Sequence, residues 1–163
     1  CNTTDEDELN EAMEELKIQS KLNKAYTIDE VRDKMINGAA AIGVIYSGEY
    51  LYCQEENEDL EYVIPKEGTN IWYDGCVIKK GSENVENAHK WIDFLCSQEA
   101  AYDNFEYIYY GTPNIAAQEL IDEDIINNPG VFPDEETIEK CEVYNYLGEE
   151  AEDMYYELWK KVK

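Results

Sequence analysis

The feature that most constrains the fold is the run Ala40–Tyr46, Ala-Ala-Ile-Gly-Val-Ile-Tyr. It carries no charge, in a chain whose residues are 31% charged. A compact apolar run of this length is expected as a β-strand covered on both faces, the pattern of α/β proteins. Its neighbours agree. Thr27-Ile28-Asp29-Glu30 reads as a capping box that opens a helix to about Ile36, and Asn37-Gly38 stops it. Gly48 to Gln54 reads as a short helix. Leu60 to Ile64 reads as a strand ended by Pro65. Asn70 to Ile78 reads as another, with Trp72 and Asp74 on one face by the period of two. Strands alternating with helices predict an α/β sandwich, with Ala40–Tyr46 at its centre.

The remaining segments are mostly helical. Residues 3–23 open with Asp5, Glu6 and Asp7, where the macrodipole favours anions. Leu9, Met13, Leu16 and Ile18 follow at helical spacing, and Lys17, Lys21 and Lys24 come late. Asn84 to Ser97 predicts a helix with Val85, Ala88, Trp91, Ile92 and Leu95 on a buried stripe. A helix from Gln98 to Tyr109 follows. Ile115 to Leu120 is a short helix, 121–133 is loop-rich, and Cys141 to Tyr144 reads as a short strand. Gly148 to Lys163 is a closing helix with Ala151, Met154, Tyr155, Leu158 and Trp159 inward. About four strands is thin for a complete α/β domain of 163 residues.

Charge narrows the partners. The formal net charge is −25. Nucleic acid is therefore an unsuitable partner, since phosphates need Lys and Arg to displace counterions. Cationic ligands would be attracted and steered inward. Fourteen Tyr and three Trp against three Phe supply rings with polar handles, whose faces attract cations. The five cysteines are scattered without a CxxC pair, and His89 is the only histidine. No metal site or cofactor is expected from such a set, and mostly buried, reduced thiols are. No G-x-S-x-G is present, and Lys79-Lys80-Gly81-Ser82 lacks the glycines of a phosphate loop. Carboxylate pairs can be drawn almost anywhere among 38 acids, so none marks a hydrolase. The chain is not expected to be an enzyme.

One segment has sharper chemistry. Ile71-Trp72-Tyr73-Asp74 puts an indole and a carboxylate on one face. An ammonium group needs an anion, hydrogen-bond acceptors and preferably a π face, and this pair could supply all three. A core Trp72 followed by a turn-capping Asp74 is the other reading of the same spacing.

At this segment the sequence resembles the spermidine/putrescine-binding proteins of bacterial ABC importers. Val63-Ile64-Pro65-Lys66-Glu67-Gly68 followed by Ile71-Trp72-Tyr73-Asp74 is similar to that family's PKEG…W-x-D stretch. Ala41 to Gly48, Ala88 to Leu95, Gly111-Thr112-Pro113-Asn114 and Phe132 to Ile138 resemble further family segments in the same order. The resemblance implies the C-terminal portion of a two-lobed periplasmic-binding-protein (type II) fold of α/β class, with the N-terminal half absent. It implies that residues 1–74 and 120–163 belong to the C-terminal lobe and that 75–119 cross to the other. Cys1 is then expected at the boundary of this portion rather than as a lipid-bearing first residue. Trp72 would stack along an alkyl chain and Asp74 would bind an amine. Tyr46 falls where the family usually has Trp, Tyr110 matches a cleft tyrosine, and Tyr144 falls where the family often has Gln. The implied partners are a polyamine and membrane permease subunits. The implied location is periplasmic or on the outer face of the cytoplasmic membrane, lipid-anchored or fused to the permease through the absent part. A sugar or amino-acid receptor and an acidic interaction module without a small ligand remain the alternatives.

Overall fold

The computed structural model describes residues 2–163, so Cys1 and the expectation attached to it lie outside the described residues. Nine helices form among them: α1 (Glu6–Ser20), α2 (Glu30–Ile36), α3 (Ser47–Glu56), α4 (Val85–Leu95), α5 (Gln98–Ile108), α6 (Ile115–Gln118), α7 (Glu123–Ile126), α8 (Glu135–Glu139) and α9 (Glu149–Val162). The expected excess of helix over strand holds. The expected strands do not form. Among the described residues a single parallel bridge, Asn70 with Glu142, stands for the sheet.

Local chemistry explains most helix ends. The Asp5 carboxylate accepts from the N–H groups of Asp7 and Glu8 at 2.9 and 3.1 Å, so α1 starts later than residue 3. Ser97 caps α5, Asn114 caps α6 and Asp134 caps α8 in the same way. The capping box at Thr27 is corrected. Helix α2 begins at Glu30, and its flanking residue Asp29 already has helical dihedrals and makes no side-chain cap bond. Asn37 and the left-handed Gly38 end α2 where the sequence predicts. Helix α8 arises inside Phe132–Ile138, a stretch not assigned as helical from its pattern.

Two apolar groupings hold the chain together. In the first, Tyr50 and Leu51 of α3 meet Phe105 of α5, Ile121 and Val131, with Tyr62 stacked on Tyr50 at 5.1 Å between ring centroids. In the second, α1 packs along α9. Leu9, Met13, Ala151 and Val162 are buried there, and Tyr26 meets the Trp159 ring edge-on at 4.9 Å. An apolar groove of about 440 Å³ runs between these two helices.

The ends of the chain are tied by polar contacts. Asn2 donates to the Glu142 carboxylate and to the Val143 carbonyl, and its side-chain oxygen accepts from the Asn145 N–H. The Tyr155 hydroxyl donates to the Thr3 carbonyl at 2.9 Å. These bonds fix the 142–145 segment against the entry to α1. The bridge to Asn70 fixes the same segment against the stretch that carries Trp72.

Three further expectations fail, each for a physical reason. Ala40–Tyr46 is not a buried strand: Ile42 is 90% and Val44 93% exposed. The run is still two-sided. Gly43 and Ile45 are half-buried, and a side chain at Gly43 would strike Val31 and Met35 of α2. Burial of the other face needs neighbouring strands, and none pairs with this run among the described residues. On α4 the stripe is only partly covered: Ala88, Ile92 and Leu95 are half-buried, no residue is fully buried, and Val85 and Trp91 are exposed. Of the described cysteines, all free, only Cys53 is buried, and Cys76 and Cys96 are exposed. No described helix is long and apolar enough to cross a membrane.

Candidate functional site

Three of the five residues singled out from the sequence are in ring contact. Tyr46, at the start of α3, meets Trp72 edge-on with centroids 5.1 Å apart. Trp72 also meets Tyr110 edge-on, at 5.8 Å. T-shaped pairs at such distances are favourable through the ring quadrupoles, worth about 0.5–1.5 kcal/mol each beyond area burial. The three rings come from three separate stretches of chain, so only the fold unites them. Tyr46 is 53% and Trp72 40% exposed, which leaves ring surface open to a ligand.

The local backbone explains how Tyr110 arrives. Tyr109, just past α5, is the only non-glycine residue with positive φ among the described residues, at 58°. This left-handed residue turns the chain sharply. Its hydroxyl donates to Glu55 of α3 at 2.6 Å, which ties the turn to α3. That bond, with burial and the Glu55 charge, pushes the Tyr109 hydroxyl up to about 12. The Cδ2–Cε2 side of the Tyr110 ring then lies against Gly48. A side chain at Gly48 would sit 2.5 Å from the Tyr110 ring and 2.7 Å from the Ile108 carbonyl oxygen. Gly48 is thus required by close approach.

Asp74 is exposed, and no hydrogen bond or ion pair engages it among the described residues. Its charge is nevertheless felt in the cluster. Burial first, then the charge of Glu49, with Tyr46, Tyr62 and last Asp74 contributing less, raise the Tyr110 hydroxyl above its ordinary value. At neutral pH that hydroxyl stays protonated and can both donate and accept. Three rings, a neutral hydroxyl and a carboxylate without a counter-ion can hold an alkyl ammonium by stacking, hydrogen bonding and charge.

Tyr144 is 66% exposed and makes no ring contact with the other three aromatics. The register still aligns it with them. Ile71 donates to the Glu142 carbonyl, and Glu142 donates to the Thr69 carbonyl, so residue 142 sits opposite residue 70 in a parallel pair. Two residues on, Tyr144 falls opposite Trp72. Gly48, Glu49 and Tyr109 were not singled out from the sequence. A glycine at a helix start and a Tyr-Tyr pair before Gly111 carry no distinctive spacing; their roles come from contacts between distant segments.

Among the described residues no group of three His, Cys, Asp or Glu side chains could hold a metal ion. His89 lies exposed on α4. The groove between α1 and α9 is lined by none of the residues of the aromatic cluster. Its lining, of residues such as Leu9, Met13, Leu158 and Val162, offers no carboxylate to a cation.

Residues 4–133 match the model of the bacterial extracellular solute-binding protein family. The spermidine/putrescine-binding periplasmic protein of Salmonella typhimurium is 35% identical over 162 residues, covering 99% of this chain and 46% of the relative. Its Escherichia coli counterpart is 33% identical with the same coverage. The crystal structure of the spermidine/putrescine ABC transporter substrate-binding protein PotD from Streptococcus pneumoniae, in complex with calcium and HEPES, superposes with a TM-score of 0.89. It shares 36% identity and covers 99% of this chain and 50% of its own. The chain thus spans about half the length of the relatives it matches, which accounts for an α/β binding-protein fold represented here in part. With its family match and its fold in agreement, this chain belongs to the bacterial extracellular solute-binding proteins.

Proposed function

We propose that the chain is the C-terminal half of a receptor that binds polyamines, such as spermidine or putrescine, for uptake by an ABC importer. The observation that carries this reading is the Tyr46–Trp72–Tyr110 cluster with the unpaired Asp74 carboxylate beside it. The rings receive methylene groups and present π faces to ammonium groups. Asp74 balances one ammonium charge. Each charge-assisted hydrogen bond contributes about 1.5–3 kcal/mol, and a desolvated cation–π contact about 2 kcal/mol. A neutral sugar would stack on the same rings but has no need of the carboxylate. The names of the relatives support the same ligand class.

In this reading the receptor is non-catalytic and works outside the cytoplasm, in the periplasm or on the outer face of the membrane, held by a lipid or by fusion to the permease. It delivers its cargo to permease subunits. Two lobes close on the ligand. Residues 1–74 and 120–163 belong to one lobe, a grouping supported by the Asn70–Glu142 bridge and by the packing of α1 on α9. The packing of Phe105 with Tyr50 and Leu51 supports counting α5 with that lobe and the rest of 75–119 with the crossing. Tyr144 completes the wall beside Trp72 in the closed receptor.

Calorimetric titration of the full receptor with putrescine and spermidine tests the reading. Asp74→Asn keeps shape and one acceptor but removes the charge, and is expected to weaken binding about ten- to a hundredfold. Trp72→Ala is expected to weaken it through lost stacking. An Asp74→Asn receptor with unchanged affinity refutes the assignment.

A further inference from the structure

The first turn of α3 holds a second carboxylate that the sequence did not single out. Glu49 follows Gly48, whose backbone carries the Tyr110 ring, and lies three residues after Tyr46. Its Oε2 accepts from Nη1 of Arg32 at 3.4 Å, a long bond. Its Oε1 has no partner among the described residues.

Arg32 is the only arginine of the chain. It reaches from α2 and is held over the Tyr52 ring at 4.9 Å. Its Nε lies 3.8 Å from Asp33 and is buried without a hydrogen-bond partner. Arg32 is therefore shared between Asp33 and Glu49. Two carboxylates face one guanidinium, and one negative charge remains in excess. Helix α3 has no side-chain N-cap. The free N–H groups of its first turn would repel a cation arriving at Tyr46, and a carboxylate in that turn offsets their partial positive charge.

We propose that Glu49, positioned by Arg32, is a second anionic group of the site and selects ligands with two ammonium groups over ligands with one. The inference rests on the polyamine reading and adds to it a residue and a selectivity. The electrostatics of Tyr110 support it independently of the contacts: among the charges that act on its hydroxyl, Glu49 comes ahead of Asp74. The charges of both carboxylates thus act on the same hydroxyl, and a chain with an ammonium at each end can use both.

The test titrates the full receptor with putrescine and with 4-amino-1-butanol, in which a hydroxyl replaces one ammonium. Glu49→Gln is expected to weaken putrescine about tenfold and the amino alcohol less than twofold. Glu49→Asp, which keeps the charge, is expected to keep the diamine preference. Equal weakening of both ligands by Glu49→Gln, or no change in either, overturns the inference. Asp74→Asn separates the two levels. If it weakens both ligands while Glu49→Gln changes neither, the polyamine reading stands and the role of Glu49 falls. If Asp74→Asn also changes neither, the underlying reading fails.

Discussion

Replacing Gly48 with alanine tests the geometry of the aromatic cluster with a single methyl group. The added carbon would sit 2.5 Å from Cδ2 and Cε2 of Tyr110 and 2.7 Å from the Ile108 carbonyl oxygen. Carbon–carbon contacts settle near 3.5–4.0 Å, so the ring must retreat by about 1 Å or more. A ring alone could swing aside at little cost. The Ile108 oxygen is backbone at the end of α5, so the turn that carries Tyr109 and Tyr110 must shift as well. Two stability effects oppose each other. Alanine is about 1 kcal/mol better than glycine within a helix, and overpacking costs about 1–3 kcal/mol. The net expectation is a loss of up to about 2 kcal/mol. Binding is expected to suffer more visibly. Displacing Tyr110 from Trp72 removes one edge-on contact and one π face, about 1–2 kcal/mol together, or roughly five- to thirtyfold in affinity. Thermal melting and calorimetric titration of the Gly48→Ala receptor measure the two effects. A variant that melts no lower and binds putrescine as the parent does refutes the placement of Tyr110 on Gly48.

Two other perturbations probe what holds the cluster. The Tyr109 hydroxyl is raised from 10.0 to about 12 in the folded chain, so its contribution to stability is fully present below pH 10 and is lost as pH rises through about 12. Alkaline melting curves of the parent should therefore converge on those of Tyr109→Phe across that window, and identical curves at neutral pH would show that the bond to Glu55 contributes nothing. Phe105 is 1% exposed at the centre of the larger core, and Phe105→Ala should cost about 3–5 kcal/mol in urea unfolding; a loss under 1 kcal/mol would place the ring outside a packed core.

Helices were the more legible part of the chain, because their signals are local. The acidic start of α1, the Asn37-Gly38 stop and the inward face of α9 depend on residues within a few turns of one another. The strand at Ala40–Tyr46 did not follow, because a strand is completed by partners distant in sequence. Its pattern correctly marks a stretch with one face on α2. The same holds for α4, whose stripe of Val85, Ala88, Trp91, Ile92 and Leu95 is only half covered, with Val85 and Trp91 exposed. In the site, Trp72 and Asp74 share a face by spacing, and Tyr46 and Tyr110 were reached only through family resemblance. Glu49 was hidden among 38 acids, and only its contact with the sole arginine distinguishes it.

The uncovered face of Ala40–Tyr46 gives the chain's large negative charge a colloidal role. Ile42 and Val44 stand exposed on a stretch that pairs with no neighbouring strand among the described residues, an arrangement that invites edge-to-edge pairing between copies. Two copies approaching along this run each bring a net charge of −25, and at moderate ionic strength that repulsion acts before the backbones come within bonding distance. Acidity that steers a cation toward one surface therefore also guards another against self-association. The guard weakens as pH falls toward the isoelectric point near 4.1, where the carboxylates take up protons and the apolar edge remains.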